Sequence, residues 1–430
     1  MIQSKWLWLV LVAILLSGCT TTGQSLASSQ SLVQINYTYT FDCPAGPISF
    51  PIQQSLDSQA HYRLRTRDGQ VIPAQLDERG RIWIWQHGGK EGQVNQYQLE
   101  IVDSGEITEG VQVRPVSENT IDVRINGELF TVFHLARKEG DFKPYLYPVI
   151  GPTGEPVTRD YPMQDNPIES ENKRLDHSHH RSFFSAHGDV RTQDLEQEGT
   201  NYWHEGHGPK QGRQVVRRIV RTVSGPVFGL VEAEIDWMGP GDKREIAETR
   251  TYTFYRGDND TRIIDAQNIF NFQDGDVMFA DTKEAGIITL RLAVHMDEVG
   301  IDTPQQLRGR MTNSRGGVGP QQCWGKQAEW CDYYGQMFSG VTVGVAIMDA
   351  PSNPRHPTYW HIRNYGLYPA NPFGARDFTG DKNQDGSMLC KQGERVEFNY
   401  RVLIHKGDTR EARVEDCYRL YRIPQGTVAE

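Results

Sequence analysis

One histidine-rich segment, residues 175–189, holds the side chains best suited to chemistry, and one further histidine follows it shortly. These side chains are Asp176, His177, His179, His180, Arg181 and His204. Side chains two apart in an extended segment point the same way, so His177 and His179 could bind one metal ion through their imidazole nitrogens. Without a metal, one histidine could act as a general base while Arg181 stabilises an anionic group of the substrate. A polar loop whose histidines only bind backbone groups is the third interpretation.

A second segment, around Trp360, combines histidine, arginine and tyrosine. If the chain is extended there, His361, Arg363 and Tyr365 share one face and Ile362 lies on the other. A tyrosine can protonate a leaving oxygen, a histidine can abstract a proton, and an arginine can hold a carboxylate. The alternative is a buried aromatic corner with Arg363 paired inside the protein.

Residues expected to bind substrate surround these two segments. They are His204, Asp281, Lys283, Glu284, His356, Trp360 and Phe373. Trp360 and Phe373 could stack on the apolar faces of sugar rings, and the charged turn at Asp281 could supply an acid with a charged neighbour. The alternatives are an aromatic core and a solvated hairpin tip.

The elements that must position these residues are predicted to be β-strands. In residues 231–237 apolar side chains alternate with acidic ones, and residues 396–405 repeat the alternation, as half-buried antiparallel strands do. No helical periodicity is sustained, except near the C-terminus. We therefore predict an all-β protein. A small β-sandwich domain occupies residues 32–112, a domain of stacked antiparallel sheets (a β-sandwich or supersandwich) occupies residues 118–410, and a C-terminal tail occupies residues 411–430.

The N-terminus is predicted to be a lipoprotein signal. The apolar run after Lys5 is too short to span a bilayer and is typical of a signal peptide, here residues 1–18. Small residues before Cys19 match a lipobox, at which this cysteine receives a lipid, and Thr20 is typical of sorting to the outer membrane. Residues 19–31 would form a polar tether. We therefore expect a lipid anchor through Cys19 at the outer membrane of a bacterial cell envelope.

The overall charge narrows the class of ligand. The formal net charge is −10 and no basic run stands out, which argues against nucleic acid as a partner. A saccharide suits the polar and aromatic segments better, and neither a cofactor nor an oligomeric state is predicted. Of the cysteines after Cys19, Cys323 and Cys331 could form a local disulfide or remain two buried thiols.

Several motifs in order resemble the PmoA-like family of uncharacterised bacterial exported proteins, over about residues 120–408. The motifs are Lys143–Val149, Gly151-Pro152, Val157–Arg159, Asp176–Arg181, His187–Asp189, Asp281–Glu284, Trp330–Tyr333, Arg355–Thr358 and Asn371–Gly374. The resemblance implies an exported protein of carbohydrate-degrading settings with a galactose-mutarotase-like fold, and it carries over no catalytic residues. Ser178 departs from the family, in which proline is expected. The family's label refers to a methane oxygenase, yet beyond residue 18 no apolar run of about 18 residues could span a membrane.

These observations favour a glycan-processing enzyme acting on a saccharide, such as one with a uronic acid, by lyase, hydrolase or epimerase chemistry. For β-elimination the base would be His177 or His179, the acid Tyr365, and the carboxylate-binding group Arg181 or Arg363. A non-catalytic glycan-binding lipoprotein is the alternative, and a metal-dependent oxidoreductase, as the family label suggests, is the second alternative.

Overall fold

The computed structural model describes residues 31–102, 109–137, 140–171, 175–192, 194–298 and 309–423. The chain divides into two compact units, with the boundary between Thr108 and Glu109. The predicted signal peptide, Cys19 and the tether up to residue 30 lie outside the described residues. Across the described ranges, no helix has both the length and the apolar character needed to cross a membrane.

The first unit contains one six-stranded antiparallel sheet, with strand order β1-β6-β3-β4-β5-β2. Its strands are β1 (Ser31–Thr38), β2 (Gly46–Pro51), β3 (His61–Thr66), β4 (Val71–Leu76), β5 (Arg81–Gln86) and β6 (Val94–Val102). Side chains two apart along a strand share a face, and accordingly Tyr62 and Leu64 of β3 are buried together with Ile82 and Ile84 of β5.

The second unit is built from two eight-stranded sheets and one three-stranded sheet, and every pair of neighbouring strands is antiparallel. Sheet F, with order β22-β23-β18-β11-β10-β9-β8-β7, comprises β7 (Val111–Pro115), β8 (Thr120–Ile125), β9 (Glu128–His134), β10 (Tyr145–Val149), β11 (Phe183–His187), β18 (Ala285–Arg291), β22 (Tyr359–Trp360) and β23 (Leu367–Asn371). Sheet B, with order β13-β14-β15-β16-β25-β21-β20-β19, comprises β13 (Arg213–Val223), β14 (Phe228–Met238), β15 (Arg244–Tyr255), β16 (Thr261–Asn271), β19 (Gly309–Asn313), β20 (Trp330–Gln336), β21 (Thr342–Asp349) and β25 (Arg395–Lys406).

The remaining elements of the second unit are short. The small sheet contains β12 (Val190–Arg191), β17 (Val277–Phe279) and β24 (Met388–Cys390), and the α-helices are α1 (Pro167–Glu171), α2 (Pro320–Cys323), α3 (Ala375–Thr379) and α4 (Val414–Arg422).

Sheets F and B share one large hydrophobic core. In β14, the alternating residues Val231, Ala233, Ile235 and Trp237 are all buried in that core. Aromatic rings pack between the two sheets: the rings of Phe133 in β9 and Phe183 in β11 lie 5.6 and 5.4 Å from the ring of Tyr252 in β15. Fully burying one such side chain contributes roughly 1.5–3 kcal/mol to the free energy of unfolding. The predicted all-β fold of packed antiparallel sheets is therefore confirmed.

The opposite face of sheet F carries a second, smaller apolar cluster. Because side chains alternate along β11, Phe183 enters the main core while Phe184 and Ala186 point the other way. The members of this second cluster are Tyr145, Tyr147, Phe184, Ala186, Trp203 and Leu367, with Met163 and Tyr365 packed against them. We call it the aromatic floor, because the histidine-rich segment lies against it.

Two expectations from the sequence concern the C-terminal segment and the cysteine pair of the second unit. Part of the expected C-terminal tail is helix α4, whose residues Val414, Cys417 and Leu420 recur at helical spacing and are buried. This helix accounts for the helical periodicity that the sequence shows near the C-terminus. Cys323 and Cys331 are both buried thiols without a disulfide between them, and burial raises the pKa of the Cys323 thiol to about 12.

Candidate functional site

Four histidines converge above the aromatic floor. The rings of His179 and His180 lie 4.3 Å apart, those of His177 and His180 4.7 Å apart, and those of His179 and His204 4.5 Å apart. Trp203 supports the group from below, with its ring 5.4 Å from that of His180. We call these four residues the histidine cluster.

The segment that carries the cluster is placed by the sheet beneath it. It leads directly into β11, a central strand of sheet F, and His180 donates its backbone N–H to the carbonyl of His177 in a tight turn. His177 stands in that turn with φ of 47°, in the left-handed region that few non-glycine residues occupy. The turn lets His177, His179 and His180 gather within a few residues of chain.

His177 forms a dyad with its neighbour Asp176. The distance from His177 Nδ1 to Asp176 Oδ2 is 3.3 Å, and the His177 side chain is 40% exposed, so a substrate can reach it. Its ring lies nearly parallel to those of His180 and Tyr365, at 4.7 and 5.5 Å. This geometry fits a general base held by a carboxylate and positioned by stacking.

The first charge network fixes Asp176. Its Oδ1 accepts hydrogen bonds from Arg159 Nη1 at 3.1 Å and from Arg291 Nη2 at 2.9 Å. Buried Glu169 of α1 in turn accepts from Arg159 Nε at 3.0 Å. Burial alone would raise the pKa of Asp176, but Arg291, Arg159 and His177 outweigh it and hold the pKa below its usual value. Asp176 is therefore ionised at neutral pH and can stabilise a protonated His177.

The more deeply placed histidines of the cluster are neutral. Arg291 Nη1 donates to Nδ1 of His180 at 2.9 Å, which leaves the proton of the neutral ring on Nε2. Burial, and then the charge of Arg291, lowers the pKa of His180 far below its usual value. Burial, followed by the charge of Lys143, lowers the pKa of His179 to about 3. Neither ring is a strong base near neutral pH.

A second charge network lies on the other side of the cluster. Arg181 binds Glu205 through two parallel bonds, Nε to Oε1 at 3.0 Å and Nη2 to Oε2 at 2.6 Å. The buried ammonium of Lys143 lies 3.5 Å from Glu205 Oε1 and donates to the backbone carbonyls of Trp203 and His179 at 2.6 and 3.2 Å. The role of Arg181 in binding a substrate anion stays a prediction, and its pairing with Glu205 makes Arg363 the better candidate for that role.

The second predicted segment lies at the other end of the site. Tyr365 contacts the guanidinium of Arg291 at 4.9 Å and that of Arg363 at 5.5 Å from its ring centre. Arg363 also lies over the Trp324 ring, at 5.8 Å, and forms no ion pair with any described carboxylate. Burial raises the pKa of Tyr365, which keeps its hydroxyl protonated.

His361, Lys283 and Glu284 connect this end to the cluster. His361 Nδ1 lies 2.6 Å from the carbonyl oxygen of Lys283 and must donate to it, so Nε2 is the unprotonated nitrogen. Burial, and then Arg363, lowers the pKa of His361 to about 3. The next residue, Glu284, reaches His204, with Oε2 3.8 Å from Nδ1. The Lys283 side chain is exposed.

Four predicted binding residues do not join the site. Trp360 and Phe373 are completely buried in the main core, so they cannot stack on a sugar. His356 Nδ1 is 2.8 Å from the buried carboxylate of Asp349, away from the cluster. Asp281 accepts the backbone N–H of Arg376 and thereby organises the start of α3.

Sequence reasoning missed four buried charged residues of the site. They are Lys143, Arg159, Glu169 and Arg291. Lys143 and Arg291 stand far from the histidine-rich segment in the chain, whereas Arg159 and Glu169 precede it closely but were not recognised as part of its charge network. A charged residue at an inward position of a strand, such as Arg291 in β18, was the available signal, because such a charge needs a buried partner.

The metal interpretation has no complete ligand set among the described residues. No group of three histidine, cysteine, aspartate or glutamate side chains in those ranges is arranged to hold a metal ion. His177 and His179, the predicted pair, have rings 5.7 Å apart and nearly perpendicular. Metal binding there therefore stays an untested prediction.

The fold and the site together define a class: an antiparallel β-sandwich protein with a histidine–aspartate dyad on the outer face of one sheet. The chain belongs to a family of unknown function, DUF6807, whose sequence profile matches residues 120–419. The expected membership of the PmoA-like family was therefore wrong, since the matching profile is that of DUF6807 and none of the comparisons indicates the PmoA-like family. No curated protein matches the chain.

Among solved structures, the chain is weakly similar to heparan sulfate lyase HepC of Pedobacter heparinus. A mutant of that lyase gives a TM-score of 0.30 at 8% sequence identity, over 69% of this chain and 37% of the lyase. The lyase itself gives a TM-score of 0.28 at 8% identity, over 70% of this chain and 36% of the lyase. The chain thus spans little more than a third of the length of these enzymes.

Proposed function

We propose that the protein is a glycan-processing enzyme that abstracts a proton next to the carboxylate of a uronic acid residue. The observation that carries the proposal is the dyad of His177 and Asp176, stacked against Tyr365, with Arg363 beside it and not in an ion pair with any described carboxylate. A base, an acid and an anion-binding group within one site are the parts that such a reaction needs.

In β-elimination, each of these side chains has one role. His177 removes the proton from C5 of the uronic acid, and Asp176 stabilises the imidazolium that forms. Arg363 binds the carboxylate, which takes up negative charge as the C5–H bond breaks. Tyr365 donates its proton to the leaving glycosidic oxygen while the C4–O bond breaks and a C4–C5 double bond forms. Solvent then carries the proton from His177 back to Tyr365.

The same groups could serve an epimerase, if a proton returned to C5 from the opposite face.

Hydrolysis has less support, because it needs one carboxyl group that is protonated and one that is ionised. Asp176 and Glu205, next to the cluster, both have pKa values below their usual range. Burial alone would raise both pKa values, but neighbouring cations outweigh the effect of burial. The largest of these opposing effects comes from Arg291 for Asp176 and from Lys143 for Glu205.

The local charge supports an anionic substrate. The guanidinium groups of Arg291 and Arg363 lie 4.9 and 5.5 Å from the centre of the Tyr365 ring, although the whole chain carries a net charge of −10. Arg291 pairs with Asp176, which leaves Arg363 as the cation for a substrate carboxylate. Such a cation attracts an anionic group of a glycan locally.

The experiment uses purified residues 20–430 and a panel of glycans that contain glucuronic, galacturonic, mannuronic or guluronic acid. Elimination is read as ultraviolet absorbance of the conjugated product, and epimerisation as deuterium incorporation at C5 in D₂O. We expect His177→Ala to lower kcat/KM about 10²–10⁴-fold, and His87→Ala, an exposed position in the first unit, to have no effect. A panel with neither absorbance nor deuterium incorporation would refute the proposal, and glycan binding without turnover would favour the non-catalytic alternative.

We propose further that Cys19 carries a lipid that anchors the enzyme at the outer membrane, as the lipobox predicts. The test is expression in a diderm bacterium with an alkyne-labelled fatty acid. The wild-type chain should be labelled and should fractionate with the outer membrane. Cys19→Ala should lose the label, and Cys43→Ala should keep it. Labelling that survives Cys19→Ala would contradict the anchor.

A further inference from the structure

A cavity of about 560 Å³ lies beside the second charge network. It is partly open to solvent, and three segments of the second unit border it: Gly140–Phe142, residues 206–213 and Met238–Asp242. Its volume falls within the range of small-molecule sites, about 300–1,000 Å³. None of the four clustered histidines lines it, so it is distinct from the place where the dyad would act.

Two residues that line the cavity are sequence neighbours of residues in the second charge network. Phe142, on one wall, immediately precedes Lys143, and Gly206, on another, immediately follows Glu205. Asp141 of the first wall interacts electrostatically with Arg181 of the second charge network. A ligand in the cavity would therefore lie next to the network that supports the histidine cluster.

The lining has the chemistry of a sugar subsite. The Phe142 and His207 rings are 5.4 Å apart and offer an apolar surface for a sugar ring. Asp242, which binds Arg213 at 2.8 Å, offers a carboxylate, and this ion pair is largely exposed. Carboxylates and guanidinium groups are suited to bind the hydroxyl groups of a sugar.

Two residues that line the cavity, Gly212 and Gly239, have no room for a side chain. A Cβ atom at Gly212 would lie 2.4 Å from the Tyr202 ring, and one at Gly239 would lie 2.4 Å from the Glu245 carboxylate. The packing behind these walls therefore has no room for side chains at either position. Their backbone N–H groups donate to the carbonyls of Asn201 and Lys243, at 2.9 and 2.8 Å, so these glycines shape the walls of the cavity and do not themselves bind a ligand through N–H.

We propose that this cavity is a subsite for a neutral hexose unit of the glycan, adjacent to the uronic acid residue that reacts. Asp141 and Asp242 outnumber the single cation Arg213 in the lining, which disfavours a second uronic acid there. The identity of the adjacent, reacting unit rests on the proposed function. Hexose binding itself does not.

The first experiment measures binding alone. Saturation-transfer NMR with the methyl glycosides of glucose, galactose and mannose, and of glucuronic acid for comparison, is applied to residues 20–430. We expect at least one neutral glycoside to bind. His207→Ala and Phe142→Ala should each weaken it about five- to tenfold, and Phe142→Tyr should retain it. His207→Ala changes an exposed side chain, so its effect cannot be explained by loss of folding.

The outcomes separate the two proposals. His177→Ala should bind the hexose as tightly as the wild type, whether or not the protein is an enzyme. If no neutral glycoside binds, or if His207→Ala and Phe142→Ala bind as the wild type does, the subsite is refuted even when uronic acid glycans are converted. If the hexose binds through these residues but no glycan is converted, the subsite stands and the enzymatic proposal falls.

Discussion

Replacing Glu205 by glutamine should strongly destabilise the second unit. The substitution keeps the size of the side chain but removes the negative charge that pairs with Arg181 at 2.6 Å and lies 3.5 Å from Lys143. The Lys143 side chain is completely buried and that of Arg181 is mostly buried. Breaking a buried pair by removing one partner costs about 3–5 kcal/mol, because the remaining charges are left uncompensated. We therefore expect Glu205→Gln to lower the free energy of unfolding by roughly 3 kcal/mol at pH 7.

The pH dependence of the same network gives a second readout. Burial lowers the pKa of Lys143 from 10.5 to about 8, although Glu205 opposes the change. The unfolded chain therefore binds more protons than the folded one between these values, and folding stability should rise with pH across this range, by roughly 3 kcal/mol in total. Glu205→Gln should lower the pKa further, so the rise should begin below pH 8. Lys143→Met should abolish it.

Urea denaturation, followed by tryptophan fluorescence at several pH values, measures these effects. The matched control is Glu198→Gln, because Glu198 pairs with Lys210 on the same stretch of chain while both side chains are more than half exposed. Such a surface pair is worth about 0–1 kcal/mol. Equal losses for Glu205→Gln and Glu198→Gln, or a Lys143→Met variant with the same pH dependence as the wild type, would refute the reasoning.

Two further predictions concern single side chains. The pKa values of His361, which is buried, and of half-buried His179 are lowered to about 3, chiefly by loss of solvent. Their imidazole NMR signals should therefore not titrate between pH 5 and 8, and folding stability should fall as the pH drops below about 6.5, where the rings of the unfolded chain take up protons. Titration of either ring near pH 6.5 would contradict this prediction. Trp360→Ala and Phe373→Ala should each cost about 3–5 kcal/mol in urea denaturation, and a loss below about 1 kcal/mol would mean that these rings are not core residues.

The strands could be predicted from the sequence because their pattern is local. The alternation from Val231 to Trp237 requires only that one face of a strand be apolar, and the structure buries that face. The alternation predicted over residues 396–405 likewise falls within β25, Arg395–Lys406. Helix α4 was indicated only weakly, as helical periodicity near the C-terminus, because it has only nine residues.

The site was only partly predictable, because its partners come from distant parts of the chain. His177 and Asp176 are neighbours in sequence, so their pairing could be anticipated. Arg291, which holds Asp176, lies 115 residues away and reaches it only because β18 and β11 are adjacent in sheet F. Trp360 was expected to bind substrate, but the alternation of side chains along the strand already places it on the same face as Ile362, opposite His361. That face is buried in the core.

In the proposed mechanism, the environment of each histidine, rather than the number of histidines, selects the base. His179 and His180 have pKa values far below the usual range, and the Nδ1 of His180 already accepts a bond from Arg291. His204 lacks a fixed carboxylate within 3.5 Å, since Glu284 is 3.8 Å away. His177 alone of the four combines an exposed edge with a carboxylate that two arginines hold ionised. His180 stacks on His177 and orients it, His179 packs against His177 edge-on, and His204 packs against His179. Asp176→Asn should therefore impair turnover more than His204→Ala does.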